Sequence, residues 1–268
     1  MADTALRNVI PANPPAAYIG GKRVLSRTII ERLRSIPHDG YAEPFVGMGG
    51  VFLRRPFQPK LEVINDINGE VANLFRILQR HYPQFMDTLR FQITSRREFE
   101  RLQRCDPSTL TDLERAARFL YLQRTAFGGK VEGQTFGVTR TTGSRFNVSK
   151  LGPLLEDVHE RLAGVVIENL PWAKFIDRYD REGMLFYFDP PYYGNEGDYG
   201  PGVFGRGDFE HMADILKRLR GHFILSLNAV QGVYETFRAF SIEEVECTYS
   251  ISGGPGKKVR EVIISGTR

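Results

Sequence analysis

Apolar positions along the chain fall into two alternating kinds of segment. Short runs such as Leu61-Glu62-Val63-Ile64, Val165-Val166-Ile167, Met184-Leu185-Phe186-Tyr187-Phe188 and Phe223-Ile224-Leu225-Ser226-Leu227 have the length and the β-branched or aromatic content of strands buried on both faces. Between them apolar residues recur at helical spacing. Leu25, Ile29 and Leu33 mark a helix that opens at Lys22 and runs to about Arg34, and Val71, Leu74, Phe75 and Leu78 mark another over 69–80. Leu113, Ala116, Leu120 and Tyr121 predict a helix over 112–124, and Leu151, Leu155, Val158 and Leu162 one further on. Phe209, Met212, Leu216 and Leu219 predict one capped by Asp208, and the mixed-charge stretch 96–104 reads as a solvated helix. Ile242 to Tyr249 and Glu261 to Ser265 pair around a turn holding Gly253, Gly254, Pro255 and Gly256. The fold class that follows is α/β, a mainly parallel sheet with an antiparallel edge, preceded by a proline-bearing extended arm over 1–17.

The run from Met184 to Phe188 stops abruptly at Asp189-Pro190-Pro191-Tyr192. Asp189 therefore stands at the carboxyl end of a central strand, the edge at which open α/β sheets bind ligands. The two prolines fix φ and leave the Pro190 carbonyl without a neighbouring N–H to bond. Two rigid acceptors followed by an aromatic face suit an amine on a heterocycle: Asp189 and Pro190 each accept one N–H while Tyr192 stacks on the ring. The simpler reading of these residues is a strand that ends in a Pro-Pro turn.

A second constellation lies upstream. Tyr41-Ala42-Glu43-Pro44-Phe45-Val46-Gly47-Met48-Gly49 reads as a short strand feeding a glycine loop, and Asp66 ends the next strand about twenty residues later. Doubly wound sheets hold a nucleoside in this way, with glycines admitting it and the acid accepting both ribose hydroxyls. Neither GxGxxG nor Gly-Lys-Ser/Thr is present, so the expected ligand carries no pyrophosphate. Gly20, Gly21 and Lys22 let backbone and a cation approach it. Trp172, the single tryptophan, either walls the pocket or plugs the core. Six glycines between Gly194 and Gly207 fit a mobile lid or a passive long loop.

Composition narrows the class of protein. At 268 residues, 41% hydrophobic and 25% charged, the chain is an ordinary globular one, large enough for a single domain with an inserted subdomain. Cys105 and Cys247 form no spaced pattern, so no disulfide framework, zinc site or other metal site is expected, and a cytoplasmic setting is. No apolar run approaches membrane-spanning length. The net charge is +4, and the segment from Gln123 to Lys150 matches it alone, with Arg124, Lys130, Arg140, Arg145 and Lys150 against Glu132. Its Gly, Ser, Thr and Phe content suits a flexible basic loop tracking a phosphate backbone, or a solvated surface loop.

Taken in order, these motifs resemble those of the Dam-type DNA N6-adenine methyltransferases over nearly the whole chain. Tyr18-Ile19-Gly20-Gly21-Lys22, Glu43-Pro44-Phe45-Val46-Gly47, Asp66 and Asp189-Pro190-Pro191-Tyr192 carry the resemblance, with Phe119 to Arg124, Phe146-Asn147-Val148 and Lys257 to Glu261. It implies a Rossmann-like S-adenosylmethionine-dependent methyltransferase fold, with a catalytic domain over 1–81 and 163–268 and a helical and loop target-recognition insert over 82–162. It also implies a flipped adenine in double-stranded DNA as substrate, no metal, no membrane partner, and a monomer of bacterial or phage origin. By the same resemblance Asp189, Pro190, Pro191 and Tyr192 are catalytic, and Tyr18, Gly21, Lys22, Glu43, Phe45, Gly47, Asp66, Ile67, Trp172 and Asp189 contact the cofactor. Arg124, Lys130, Arg140, Arg145, Lys150, Lys257 and Lys258 contact DNA. Gln123 replaces the family's usual Asn, and the tract 127–132 departs from that of GATC-specific relatives, so the target sequence is not implied. A cytosine-N4 or RNA amino methyltransferase, and an inactive DNA-binding relative, are the alternatives.

Overall fold

A computed structural model describes residues 6–18, 20–22, 24–127, 133–137, 145–200, 202–249 and 257–266. In chain order the strands are β1 (Arg7–Asn8), β2 (Gly40–Glu43), β3 (Phe57–Gln58), β4 (Leu61–Asn65), β5 (Val166–Glu168), β6 (Met184–Phe188), β7 (His222–Asn228), β8 (Ser241–Tyr249) and β9 (Lys257–Ser265). Among the described residues seven of them form one sheet in the order β5-β4-β2-β6-β7-β9-β8. The first five are parallel, and β9 runs antiparallel between β7 and the edge strand β8. The α/β reading is thus correct, and the reversed strand is the penultimate one rather than the edge itself. β1 and β3 form a separate two-residue ribbon that fastens the amino-terminal arm.

The helices are α1 (Ser26–Ser35), α2 (Gly69–Arg80), α3 (Tyr82–Leu89), α4 (Arg96–Arg104), α5 (Asp112–Thr125), α6 (Val148–Arg161), α7 (Trp172–Tyr179), α8 (Arg206–Arg218) and α9 (Gln231–Thr236). Alternation along the strands assigns them to two layers. Tyr41, Leu185, Tyr187 and Ile224 point to one face, where they share a core with residues of α1, α2, α3, α5 and α6. Ala42, Phe186, Phe188 and Leu225 point to the other and pack with α7, α8 and α9. β6 is buried throughout, as its unbroken apolar run requires. Among the described residues no helix is long and apolar enough to cross a membrane.

Two expected boundaries move. α1 begins at Ser26, whose N–H donates to the Lys22 carbonyl at 2.6 Å, so Lys22 precedes the helix and follows a turn in which Gly21 N–H donates to the Tyr18 carbonyl at 3.0 Å. Asp208 lies inside α8, not at its cap, and its carboxylate reaches back to accept the Gly205 N–H at 2.8 Å. α6 is locked to the sheet by a buried ion-pair cluster. Arg161 forks onto both Glu62 oxygens at 2.7 Å, and Arg55 pairs with the same carboxylate while stacking 3.4 Å from the Tyr41 ring. Removing one partner of such a buried cluster typically costs about 3–5 kcal/mol.

Candidate active site

The register brings the carboxyl ends of β2, β6 and β7 to one edge, with antiparallel β9 beside them. Ala42 pairs with Phe186, Phe188 with Leu225, and Asn228 with Glu261, so Glu43, Asp189, Ser226 and Glu261 project from neighbouring strands onto the same face. A cavity of about 1140 Å³ opens above them. Its wall combines a nucleoside-facing group, Asp66, Trp172, Phe45 and Ile67, a polar group, Tyr18, Gly21, Lys22, Glu43, Asp189 and Pro191, and a basic group, Arg54, Arg124, Arg145 and Lys150. A single small ligand occupies a pocket of roughly 300–1,000 Å³. This one has room for a nucleoside and a second heterocycle.

The nucleoside-facing group is built around the glycine loop. Gly47 sits at φ +51°, a conformation that side chains rarely adopt, and a Cβ there would lie 2.9 Å from the Tyr18 ring. Its N–H donates to Asp66 Oδ2 at 2.8 Å, and Asn68 N–H donates to Oδ1 at 2.9 Å. Both oxygens are thereby oriented with lone pairs still available toward the cavity. Burial raises the Asp66 carboxyl to about 6 against those two donors. Trp172 is 7% exposed and faces Phe45 at 6.3 Å, so it serves as wall and core together. Its indole N–H donates to Asp208 Oδ1 at 3.3 Å, and the His211 ring stands edge-on to it at 5.2 Å. The glycine-rich stretch after Tyr192 is docked here: it contains a 3-10 turn over Glu196–Tyr199, and its Phe204 is buried against Phe45 and Phe209. These features fit the adenosyl group of S-adenosylmethionine, with aromatic surface for the base, a fixed carboxylate for the diol and a glycine cradle.

The polar group is a buried cluster. Lys22 Nζ lies 2.6 Å from Asp189 Oδ1, 2.9 Å from the Tyr192 hydroxyl and 3.8 Å from Glu261 Oε2, and it sits 4.5 Å from the centre of the Tyr192 ring. The spacing in sequence gave no sign that Lys22 spans two motifs. Burial raises the Asp189 carboxyl to about 6, with the Lys22 charge opposing. Tyr41 donates its hydroxyl hydrogen to Glu43 at 2.5 Å, yet burial raises Glu43 to about 8. Asn228 holds the chain beyond the prolines by accepting from Tyr193 N–H and donating to the Tyr193 carbonyl, both at 2.9 Å. Asp189 and Pro191 reach the cavity wall. Among the described residues Pro190 and Tyr192 are not part of that wall.

The basic group contains an unforeseen residue, Arg54. Arg145 and Lys150 are exposed, whereas Arg124 is half-buried and spends its guanidinium on the carbonyls of Pro15, at 2.5 Å, and Arg145, at 3.1 Å. Gln123 is buried and donates to the Ala17 carbonyl at 2.8 Å. Lys258 stands at the start of β9, 3.9 Å from Glu246 and outside the cavity, with Lys257 beside it in sequence. Lys130 and Arg140 lie outside the described residues.

Comparison with known proteins agrees with this arrangement. The model of the D12 class N6 adenine-specific DNA methyltransferases matches residues 18–251. The chain is 26% identical to the Type II methyltransferase M1.LlaDCHI of Lactococcus lactis subsp. cremoris, with 97% of both chains covered. It is 25% identical to a DNA adenine methylase of Haemophilus influenzae, with 84% of each covered. With the Type II methyltransferase M.CviBI of Paramecium bursaria Chlorella virus NC1A it shares 21% identity over 85% of this chain and 88% of that one. The chain belongs to the D12 class of N6 adenine-specific DNA methyltransferases and is a DNA adenine N6-methyltransferase.

Proposed function

We propose that the protein takes its methyl group from S-adenosylmethionine, bound between Asp66, Phe45 and Trp172, and delivers it to an adenine flipped from duplex DNA into the space beside Asp189. The observation that carries this reading is that one cavity is lined by Asp66, Asp189, Arg54, Arg145 and Lys150 together. S-adenosylmethionine supplies an electrophilic methyl on a sulfonium sulfur. Everything else falls to the chain.

Adenine's amino lone pair is delocalised into the ring, so the amine is a poor nucleophile, and in a stacked duplex it is out of reach. The Asp189 carboxylate, which does reach the cavity, accepts an N–H of the amine and draws the nitrogen toward tetrahedral geometry, which frees the lone pair. Because the acceptor gains strength as positive charge develops on nitrogen, it binds the transition state better than the ground state. Oδ1 of Asp189 is occupied by Lys22 and Ser226. Oδ2 receives no donor among the described residues and is the atom assigned to the amine. Lys22 also ties the Tyr192 hydroxyl to the same carboxylate, so Asp189 and the chain beyond the prolines are held as a unit.

The helices and loops of 82–162 form the target-recognition insert in this reading. They share the α2 side of the core rather than a core of their own, so the insert meets DNA as a rigid extension of the sheet. Arg145 and Lys150 contact phosphates.

Asp189→Ala tests the assignment. Methylation of unmodified duplex DNA, read as N6-methyldeoxyadenosine after digestion to nucleosides, is expected to fall at least about 10²–10³-fold. Most DNA binding persists. Wild-type turnover in that variant would remove Asp189 from the mechanism.

A further inference from the structure

We propose that Ser226, backed by Tyr187, is a positioning residue for the reaction: the two hydroxyls form a relay that fixes the Asp189 carboxylate with Oδ1 toward the protein and Oδ2 toward the substrate amine. This rests on Asp189 being the amine acceptor.

Two strands supply the geometry. Tyr187 precedes Asp189 by two residues and shares its face, and the β6–β7 register, in which Phe188 faces Leu225, sets Ser226 beside Asp189. Tyr187 Oη lies 2.9 Å from Ser226 Oγ, and Ser226 Oγ lies 3.3 Å from Asp189 Oδ1. Tyr187 and Ser226 are both buried beside Leu185, Ile224 and Ile263, and Tyr187 also reaches the cavity wall. Polar side chains are costly in such a place unless they are paired.

The direction of the relay follows from counting protons. A serine hydroxyl has one hydrogen, and an ionised carboxylate only accepts, so the Ser226 hydrogen goes to Asp189. Tyr187 must then donate to Ser226. It keeps its proton at every working pH, since burial and the nearby Asp189 charge raise its phenol well above the ordinary range. The 3.3 Å contact is long for a hydroxyl donor, and catalytic hydrogen bonds tighten when substrate occupies the other side of the acceptor.

Lys22 alone would leave the carboxylate free to turn. One cation at 2.6 Å from Oδ1 attracts either oxygen equally, whereas a second donor from a different strand selects one of them. The charged and titratable groups facing Asp189 are Lys22 from the turn before α1, Glu43 from β2, Tyr187 from its own strand and Glu261 from β9. Two of these are carboxyls and Lys22 is the single cation of the four, so each neutral donor to Asp189 counts in keeping it ionised. Loss of the Ser226 donor therefore turns the carboxylate and raises its proton affinity.

The test compares Ser226→Ala, Ser226→Thr, Tyr187→Phe and Asp189→Asn in single-turnover methylation across pH, with KM for DNA and thermal melts alongside. Ser226→Ala is expected to lower kcat about tenfold, with KM nearly unchanged, as loss of one hydrogen bond to a charged group does. Its acid limb should move to higher pH, Ser226→Thr should restore both, and Tyr187→Phe should show a smaller effect in the same direction. A Ser226→Ala enzyme with wild-type kcat and pH profile overturns the relay, provided Asp189→Asn is inactive. A lower kcat with an unmoved acid limb and a lowered melting point also overturns it, since that is a packing defect. An active Asp189→Asn would instead overturn the placement of the reaction at Asp189, and the relay with it.

Discussion

Burial competes with pairing at each carboxyl of the site, and Glu43 is the residue at which burial wins outright. It is 1% exposed and raised to about 8, so it is protonated at neutral pH despite the hydrogen bond from Tyr41. The folded protein holds a proton that the unfolded chain releases near 4.5, so stability falls as pH rises from about 4.5 to 8 and then levels off. Asp66 and Asp189, raised from 3.8 to about 6, act in the same sense over a lower window. Glu43→Gln keeps the shape of the neutral acid and cannot titrate. Relative to wild type its stability should climb across that window, by roughly 1.4 kcal/mol per pH unit at most. Thermal melts between about pH 5 and 9 read the difference. Parallel curves for the two proteins would mean that Glu43 is ionised in the fold.

Among the elements, the glycine loop after β2 depends most on one backbone conformation. Gly47→Ala places a Cβ at φ +51° and 2.9 Å from the Tyr18 ring, so the loop must strain or the ring must leave the cavity wall. The left-handed backbone alone costs about 1–2 kcal/mol, which in a chain of this size lowers Tm by about 2–8 °C. Calorimetric titration should also show weaker binding of S-adenosylmethionine, and an unchanged affinity would detach Tyr18 from that site. This loop and the strands of the seven-stranded sheet were legible in sequence because runs such as Met184 to Phe188 end in unmistakable turn residues, whereas the two-residue β1 and β3 were too short to show. α3, α7 and α9 were not, since elements of 8, 8 and 6 residues carry too little periodicity to stand out. The polar cluster was half legible. Period-two alternation places Ser226 and Asn228 on one face of β7, but that Lys22 meets Asp189 across 167 positions follows only from the sheet order. The partners of Arg124 were equally hidden, because nothing in a basic residue beside a basic loop shows that its guanidinium meets the Pro15 and Arg145 carbonyls.

Across the whole molecule, the cavity joins two chemistries: a carboxylate and aromatic group at the sheet edge, and a cationic group at the junction of the arm, α5 and α6. Arg145 and Lys150 are exposed there and, among the described residues, form no ion pair, so a phosphate can claim both without breaking an existing contact. Arg124 is different. Its guanidinium already bridges the Pro15 and Arg145 carbonyls, and burial lowers its proton affinity. The two kinds of arginine should separate in the salt dependence of DNA binding. Each phosphate contact contributes roughly 0.9 to the slope of log K against log salt, so the double variant Arg145→Ala, Lys150→Ala should flatten it by about 2. Arg124→Ala should leave the slope nearly intact while lowering stability by about 1–3 kcal/mol, since it orphans two carbonyls and frees the arm. A double variant with the wild-type slope would mean that the duplex does not cross this rim, and the assignment of 82–162 to target recognition would lose its electrostatic support. A flattened slope in Arg124→Ala alone would move the phosphate contact onto Arg124 and require the arm to open when DNA binds.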